Sequence, residues 1–213
     1  LQGVTSSLPL PLNKSAASSL PFRFELAVPP GGGGDSMKLS AGSLFQAQFL
    51  RRKEGERLVI SRGGLALNEP VRMADKGVLV AARADKLDAD AWRRALAGGA
   101  APAGQGAAQD KGFPLSGLAL RAGELQILGQ RLSDVSLRAV MEEGGWQARL
   151  ASKEAEGDIL WRDQGRGRLQ ARFRQLALGR ADTPADADTG RPDGGRLSEL
   201  PGLDIVADSF VLR

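Results

Sequence analysis

The chain has no cysteine, no histidine and no tyrosine. Without cysteine there are no disulfides and no thiolate chemistry. This leaves the compartment open, because a chain of 213 residues is long enough to hold a core without bridges. Without histidine, Ser-His-Asp and Cys-His machinery and His-ligated zinc drop out. Aromatics make up only 5% of the residues, too few for a base-stacking platform on nucleic acid. No apolar run approaches the ~18 residues of a membrane span. The N-terminus lacks the basic and apolar regions of a signal peptide, and Leu1 is not a start Met, which fits a processed or excised portion.

What is present is ordinary in bulk: 42% hydrophobic, 25% charged, and a net charge of +4 from 29 basic and 25 acidic residues. The charges are spread along the chain. The densest basic cluster is Arg166, Arg168, Arg172 and Arg174, which strand spacing puts mostly on one solvated outer face.

The main signal is alternation of period two, the mark of half-buried strands. Residues 1–21, with Pro9, Pro11 and Pro21, deny a long helix or central strand. Phe22, Phe24 and Leu26 then alternate with polar residues up to "PPGGGGD", a flexible turn. Met37, Leu39 and Ala41 follow, then Phe45, Ala47 and Phe49, a charged tip at "RRKEGER", and Leu58, Ile60, Leu65 and Leu67. Val78, Val80 and Ala82 close the first group, a pattern that predicts an antiparallel meander.

At "KLDADAWRRALAGG" the period changes to helical. Asp88 is placed to cap, Asp90 to favour the first turn, and Leu87, Ala91, Trp92, Ala95 and Leu96 form the apolar stripe of a short helix near 88–97. Residues 98–112 read as a low-complexity crossover. A second meander follows, with Gly129-Gln130 expected as its tight turn and a polar loop at 179–199 before a last strand. In that strand Leu203, Ile205 and Ala207 share one face, then Phe210 and Leu212 take over, so a bulge is expected near Asp208. The halves, 1–112 and 113–213, are either two domains or one continuous domain. In the second half the candidate apolar face consists of Leu118, Leu120, Leu125, Ile127, Val135, Leu137, Trp146, Leu150, Ile159, Trp161, Leu169 and Phe173. Trp92, Trp146 and Trp161 are expected to fill a core, with the indole N–H near an edge; the alternative places Trp146 or Trp161 on an exposed apolar face that touches acyl chains.

Catalytic and metal motifs are weak. "SAAS" beside Lys14 and the pair Ser152-Lys153 lack Ser-x-x-Lys spacing before a helix. "DADTG" at Asp186, Asp188 and Gly190 lacks the glycine and the closing glutamate of a calcium loop, with Arg191 and Leu197 in those places. "GGGGD" and "GQGAAQ" lack a phosphate-loop context. Glu142-Glu143 sits at a turn tip. The chain is expected to hold no catalytic residue, cofactor or metal.

The second half has an ordered set of motifs: "GEL" at Gly123–Leu125, "LSDVSLRA" at Leu132–Ala139, "GW" at Gly145-Trp146 and "GDILW" at Gly157–Trp161. The first half has "LPLPLNK" at 8–14 before an alternating strand, and "LDADAWRRAL"; the end is "LPGLDIVADSFVLR". In this order they resemble the YhdP-type, AsmA-like bacterial envelope proteins over nearly the whole chain. The resemblance implies a mainly β fold of curved antiparallel meander sheets, of a repeating-groove kind, with one short helix and an apolar groove. It also implies a periplasmic segment of a longer parent anchored in the inner membrane. That parent moves or houses phospholipid between inner and outer membranes. The expected partners are phospholipid or another envelope lipid and other parts of the same long chain, with no nucleic acid. A closed β-domain that scaffolds an envelope assembly is the alternative. An enzyme acting on envelope lipid or glycan is a third, requiring two carboxylates to converge in a cleft.

Overall fold

A computed structural model describes residues 5–13, 15–17, 19–98, 114–162, 167–179 and 202–212. The alternating runs become β1 (Phe22–Ala27), β2 (Gly34–Ala41), β3 (Phe45–Glu54), β4 (Arg57–Leu67) and β5 (Gly77–Asp88). After α1 (Ala89–Gly98) come β6 (Leu115–Ile127), β7 (Gln130–Glu142), β8 (Gly145–Ala151), β9 (Ala155–Arg162), β10 (Arg168–Leu178) and β11 (Gly202–Leu212). All eleven strands join one curved sheet in chain order, with β5 pairing to β6 across the boundary between the two groups.

The antiparallel expectation needs correction at three joins: β4–β5, β5–β6 and β10–β11 are parallel. A hairpin cannot join parallel strands; a crossover must. Residues 68–76 make the first, lying against β4: a Cβ on Gly64 would sit 2.0 Å from the Arg72 carbonyl oxygen. The Ala74 N–H donates to the Gly63 carbonyl at 3.0 Å. α1 begins the second. Most of the low-complexity stretch at 98–112 and of the polar loop at 179–199, including Asp186, Asp188 and Gly190, lies outside the described residues, as does Arg166.

The helix forms where its caps predict. The Asp88 carboxylate accepts from the Ala91 N–H at 2.7 Å. Asp90 does more than favour the helix dipole. The β6–β7 turn is centred on Leu128-Gly129, one residue earlier than expected, with φ of 52° and 70°. Type I′ turns need φ > 0 at both central positions, which costs a leucine more than a glycine. The buried Asp90 carboxylate accepts from the Leu128 and Gly129 N–H groups, both at 3.0 Å, and so ties α1 to that turn.

The Gly129 N–H bond, then the Leu128 bond and the nearby Arg93 and Arg94 charges, outweigh burial and hold the Asp90 carboxyl below its ordinary 3.8. A depressed folded-state pKa contributes stability that is present above the unfolded value and is lost as pH falls through the folded one. Urea midpoints measured from about pH 6 down to about pH 2.5 should therefore show Asp90→Asn less stable than wild type at the top of the range and the two converging at the bottom. A constant gap across the range would remove the carboxylate from this role.

One level of the sheet breaks the alternation. Pairing skips Asp85–Gly123, Gly123–Asp134 and Arg174–Asp208, and β9–β10 shifts register between Phe173 and Gln175. Above this level the apolar face of β6 carries Leu118, Leu120 and Ala122; below it Leu125 joins the same buried cluster. The bulge expected near Asp208 is part of this wider line: β10 and β11 change parity together, so their mutual register stays intact. A bulge lets a strand twist while keeping its oily side chains on one side.

Candidate functional site

In a paired ladder, residues directly opposite each other share a face. Tracing partners across the sheet gives one rung of Phe24, Leu39, Ala47, Leu65, Val80, Leu118, Ala139, Ala148, Ile159, Ala171 and Ile205. No member is polar. The next rung toward the α1 side runs from Phe22 through Phe45, Leu67, Leu120, Leu137, Leu150, Gly157 and Phe173 to Ala207. On the other side lie Leu26, Met37, Phe49 and Gly63 paired to Val78, and, further along, Met141, Trp146, Trp161, Leu169 and Leu203. Below the parity switch Leu87, Leu125 and Leu132 extend the face, with Val135 beside Ala122. Ile127 lies at its exposed end, opposite Gln130.

The twelve candidate residues of the second meander thus share one face. Sequence reasoning confined that face to the second half. Phe22, Phe24, Leu26, Met37, Leu39, Phe49 and Val80 belong to it too, and the same alternation marks them.

Eleven strands ~4.8 Å apart make this face roughly 48 Å long, and three rungs make it roughly 14 Å wide. Main contacts between elements are those of neighbouring strands, with α1 meeting β6, so among the described residues no second layer covers it. Burial depends on whether a strand has a neighbour on both sides. Ala47 and Ala171 are each 3% exposed, while Phe24 and Ile205 on the edge strands are 51% and 54% exposed. Among the described residues this apolar face is therefore open along its length, and it is called the trough below. At the α1 end the Trp92 indole N–H donates to the Leu10 carbonyl at 3.0 Å, tying the N-terminal segment to the helix. At the opposite strand ends lies a cleft of about 1380 Å³ that mixes Ile60, Met141 and Leu160 with Arg52, Arg62, Lys76 and Arg162.

The opposite face is mixed: Ala66 and Ala81 are buried on β4 and β5, and charge gathers on β7 to β10. Arg138, Arg149, Asp158 and Arg172 form one of its rungs, and the Arg149 Nε–H donates to Asp158 at 2.8 Å. Arg168 also lies on this side, and Arg174 pairs with Glu156.

Two glycines interrupt the trough lining, each opposite a phenylalanine. A Cβ on Gly63 would sit 2.5 Å from the Phe49 ring, and one on Gly157 would sit 2.7 Å from the Phe173 ring. The rings occupy the space that a side chain would need. Trp146 and Trp161 face each other across β8 and β9 at half-buried positions.

Of the two Ser-Lys combinations, Lys14 and Ser18 lie outside the described residues, and Ser152-Lys153 is engaged elsewhere. The Ser152 hydroxyl accepts from the Glu154 and Ala155 N–H groups in a turn, and Lys153 pairs with Asp134 at 2.7 Å. Glu142 and Glu143 are exposed at the β7–β8 turn.

The family model described as YhdP protein matches residues 1–213. The chain belongs to the YhdP family. No curated protein and no solved structure matches it. Membership makes this a segment of a YhdP-type, AsmA-like envelope protein. The YhdP-like motifs fall on structurally distinct places: Gly123 at the parity switch, Leu132–Ala139 along β7, Gly145-Trp146 opening β8 and Gly157–Trp161 in β9. Among the described residues of this YhdP-family chain, no helix is long and apolar enough to cross a membrane.

Proposed function

We propose that this chain is a noncatalytic segment that houses phospholipid acyl chains and conducts them between inner and outer membranes. It would act in the periplasm as part of a longer, inner-membrane-anchored parent. The observation that carries this reading is the uncovered face whose central rung crosses eleven strands without a polar side chain. Family membership supports the envelope setting.

The physics is that of a bypass. Exposing an acyl chain to water costs about 0.8 kcal/mol per methylene. A lipid crossing an aqueous gap unaided would meet that cost along its whole tail. A trough as oily as the bilayer removes most of the cost without holding the tail more tightly than the membrane does. Its width, roughly 14 Å, is about half of the ~30 Å hydrocarbon core of a bilayer. No bond is made or broken, so no catalytic group is needed. The scaffold alternative needs the apolar face covered, and the uncovered rungs speak against it.

Delipidated protein titrated with a fluorescent phospholipid analogue should take it up saturably, with displacement by unlabelled phospholipid. Absence of saturable uptake would overturn the proposal.

A further inference from the structure

Among the described strand residues that the ladder pairs, the trough face has charge at one place. Beyond the rung of Leu26, Met37 and Phe49, the next level of the same face carries Asp35 opposite Arg51, and Arg51 opposite Ile60. Lys53 follows two residues on, opposite Leu58. Among the described strand residues, the ladder puts no other charged side chain on this face.

The pair is built tightly. The Arg51 Nε–H and Nη2–H groups donate to Asp35 Oδ1 and Oδ2 at 2.7 and 2.6 Å. The Asp35 side chain is 6% exposed and the Arg51 side chain 27%. The hydrogen bonds from Arg51 hold the Asp35 carboxyl below its ordinary value. Such a pair is a poor device for stability, since a well-packed apolar pair commonly does as well. It does hold a guanidinium in one orientation at the border of an apolar surface. A guanidinium has five N–H donors, and the pair uses one edge of its fork.

The geometry points to Arg51 as a binding residue for the phosphodiester of a phospholipid headgroup, with Asp35 as its positioning residue and the tails lying on the adjoining apolar rungs. The assignment rests on the trough reading above. An acyl chain on the rungs places the lipid's polar end at their border, and on β2 and β3 that border is Arg51. Planar guanidinium groups match phosphate oxygens in geometry and charge. Lys53, on the same side of β3, adds positive charge that offsets Asp35. The pair is not placed to choose among headgroups by anything beyond the phosphate.

The test compares two fluorescent lipids with identical tails, a phosphatidylglycerol and a diacylglycerol, on delipidated protein. Wild type should bind the phospholipid about tenfold more tightly. In Asp35→Leu/Arg51→Met, which leaves no stranded charge, the preference should fall to within about twofold while diacylglycerol binding stays unchanged. If the double variant keeps the preference, the assignment is overturned and the trough reading stands. If wild type binds neither lipid, both fall. Should the double variant fail to fold, Arg51→Lys decides: a phospholipid affinity lowered about threefold supports the assignment, and an unchanged one overturns it. Inorganic phosphate alone should not displace the phospholipid; displacement would make this a free-anion site and overturn the assignment to lipid.

Discussion

Replacing Phe49 by alanine is expected to destabilise the protein by about 3 kcal/mol, the lower end for a buried phenylalanine. Phe49 is 7% exposed and lies in the cluster with Ala47 and Val78, packed by Met37, Ile60 and Leu65. Its ring also fills the space that Gly63 leaves open on the neighbouring strand. Removing it takes away its own buried area and uncovers backbone on β4. The lower end applies because the trough is open, so water can enter the gap. Phe24, on the same face but 51% exposed at the edge strand, is the control. Phe24→Ala should cost under about 1 kcal/mol. Urea midpoints of the two variants check this. Equal losses would mean that the interior rungs are no better packed than the edge.

Placing a carboxylate in mid-trough should have the largest effect on lipid handling. Ile159 lies between Ala148 and Ala171 on the central rung, and none of these three carries a group to pair with a charge. Ile159→Glu should therefore reduce phospholipid uptake at least about tenfold, since an acyl chain passing there would strip water from an unpaired charge. Val140, on β7, points to the other face between Gly117 and Gln147. Val140→Glu should leave uptake within about twofold of wild type. Uptake assays on both variants, with circular dichroism to verify the sheet, separate the outcomes. Equal loss in both variants would contradict a one-sided site.

Much of this was legible from residue spacing alone. Alternation in "FRFEL", in "LALRA" and in "WQARL" determines which side chains share a face within one strand, because successive Cβ atoms point to opposite sides. The Asp88 cap and the change to helical period placed α1. What alternation cannot supply is pairing. The parallel joins at β4–β5 and β5–β6 depend on where a crossover lies down, as with Arg72 over Gly64. The common level of the parity switch depends on neighbours bulging together. It surfaced in the sequence only at Asp208, where two apolar runs of opposite parity abut. The turn falls at Leu128-Gly129, one residue before the spacing predicts, and spacing alone does not place it there because a leucine at positive φ is disfavoured locally. Its compensation comes from Asp90, 38 and 39 residues away. The Asp35–Arg51 pair was missed because a charged residue next to a glycine run reads as loop, and only the β2–β3 register brings its partner opposite.

The most direct measurement uses the edge strand β11, where Ile205 and Val206 are adjacent, apolar and almost equally exposed, at 54% and 51%. They differ in face: Ile205 pairs with Ala171 on the central rung and Val206 with Arg172 on the charged side. A benzophenone side chain introduced at either position, irradiated with radiolabelled phospholipid, should capture lipid at 205 and not at 206. Equal capture at both positions, or capture at 206 alone, would contradict the account.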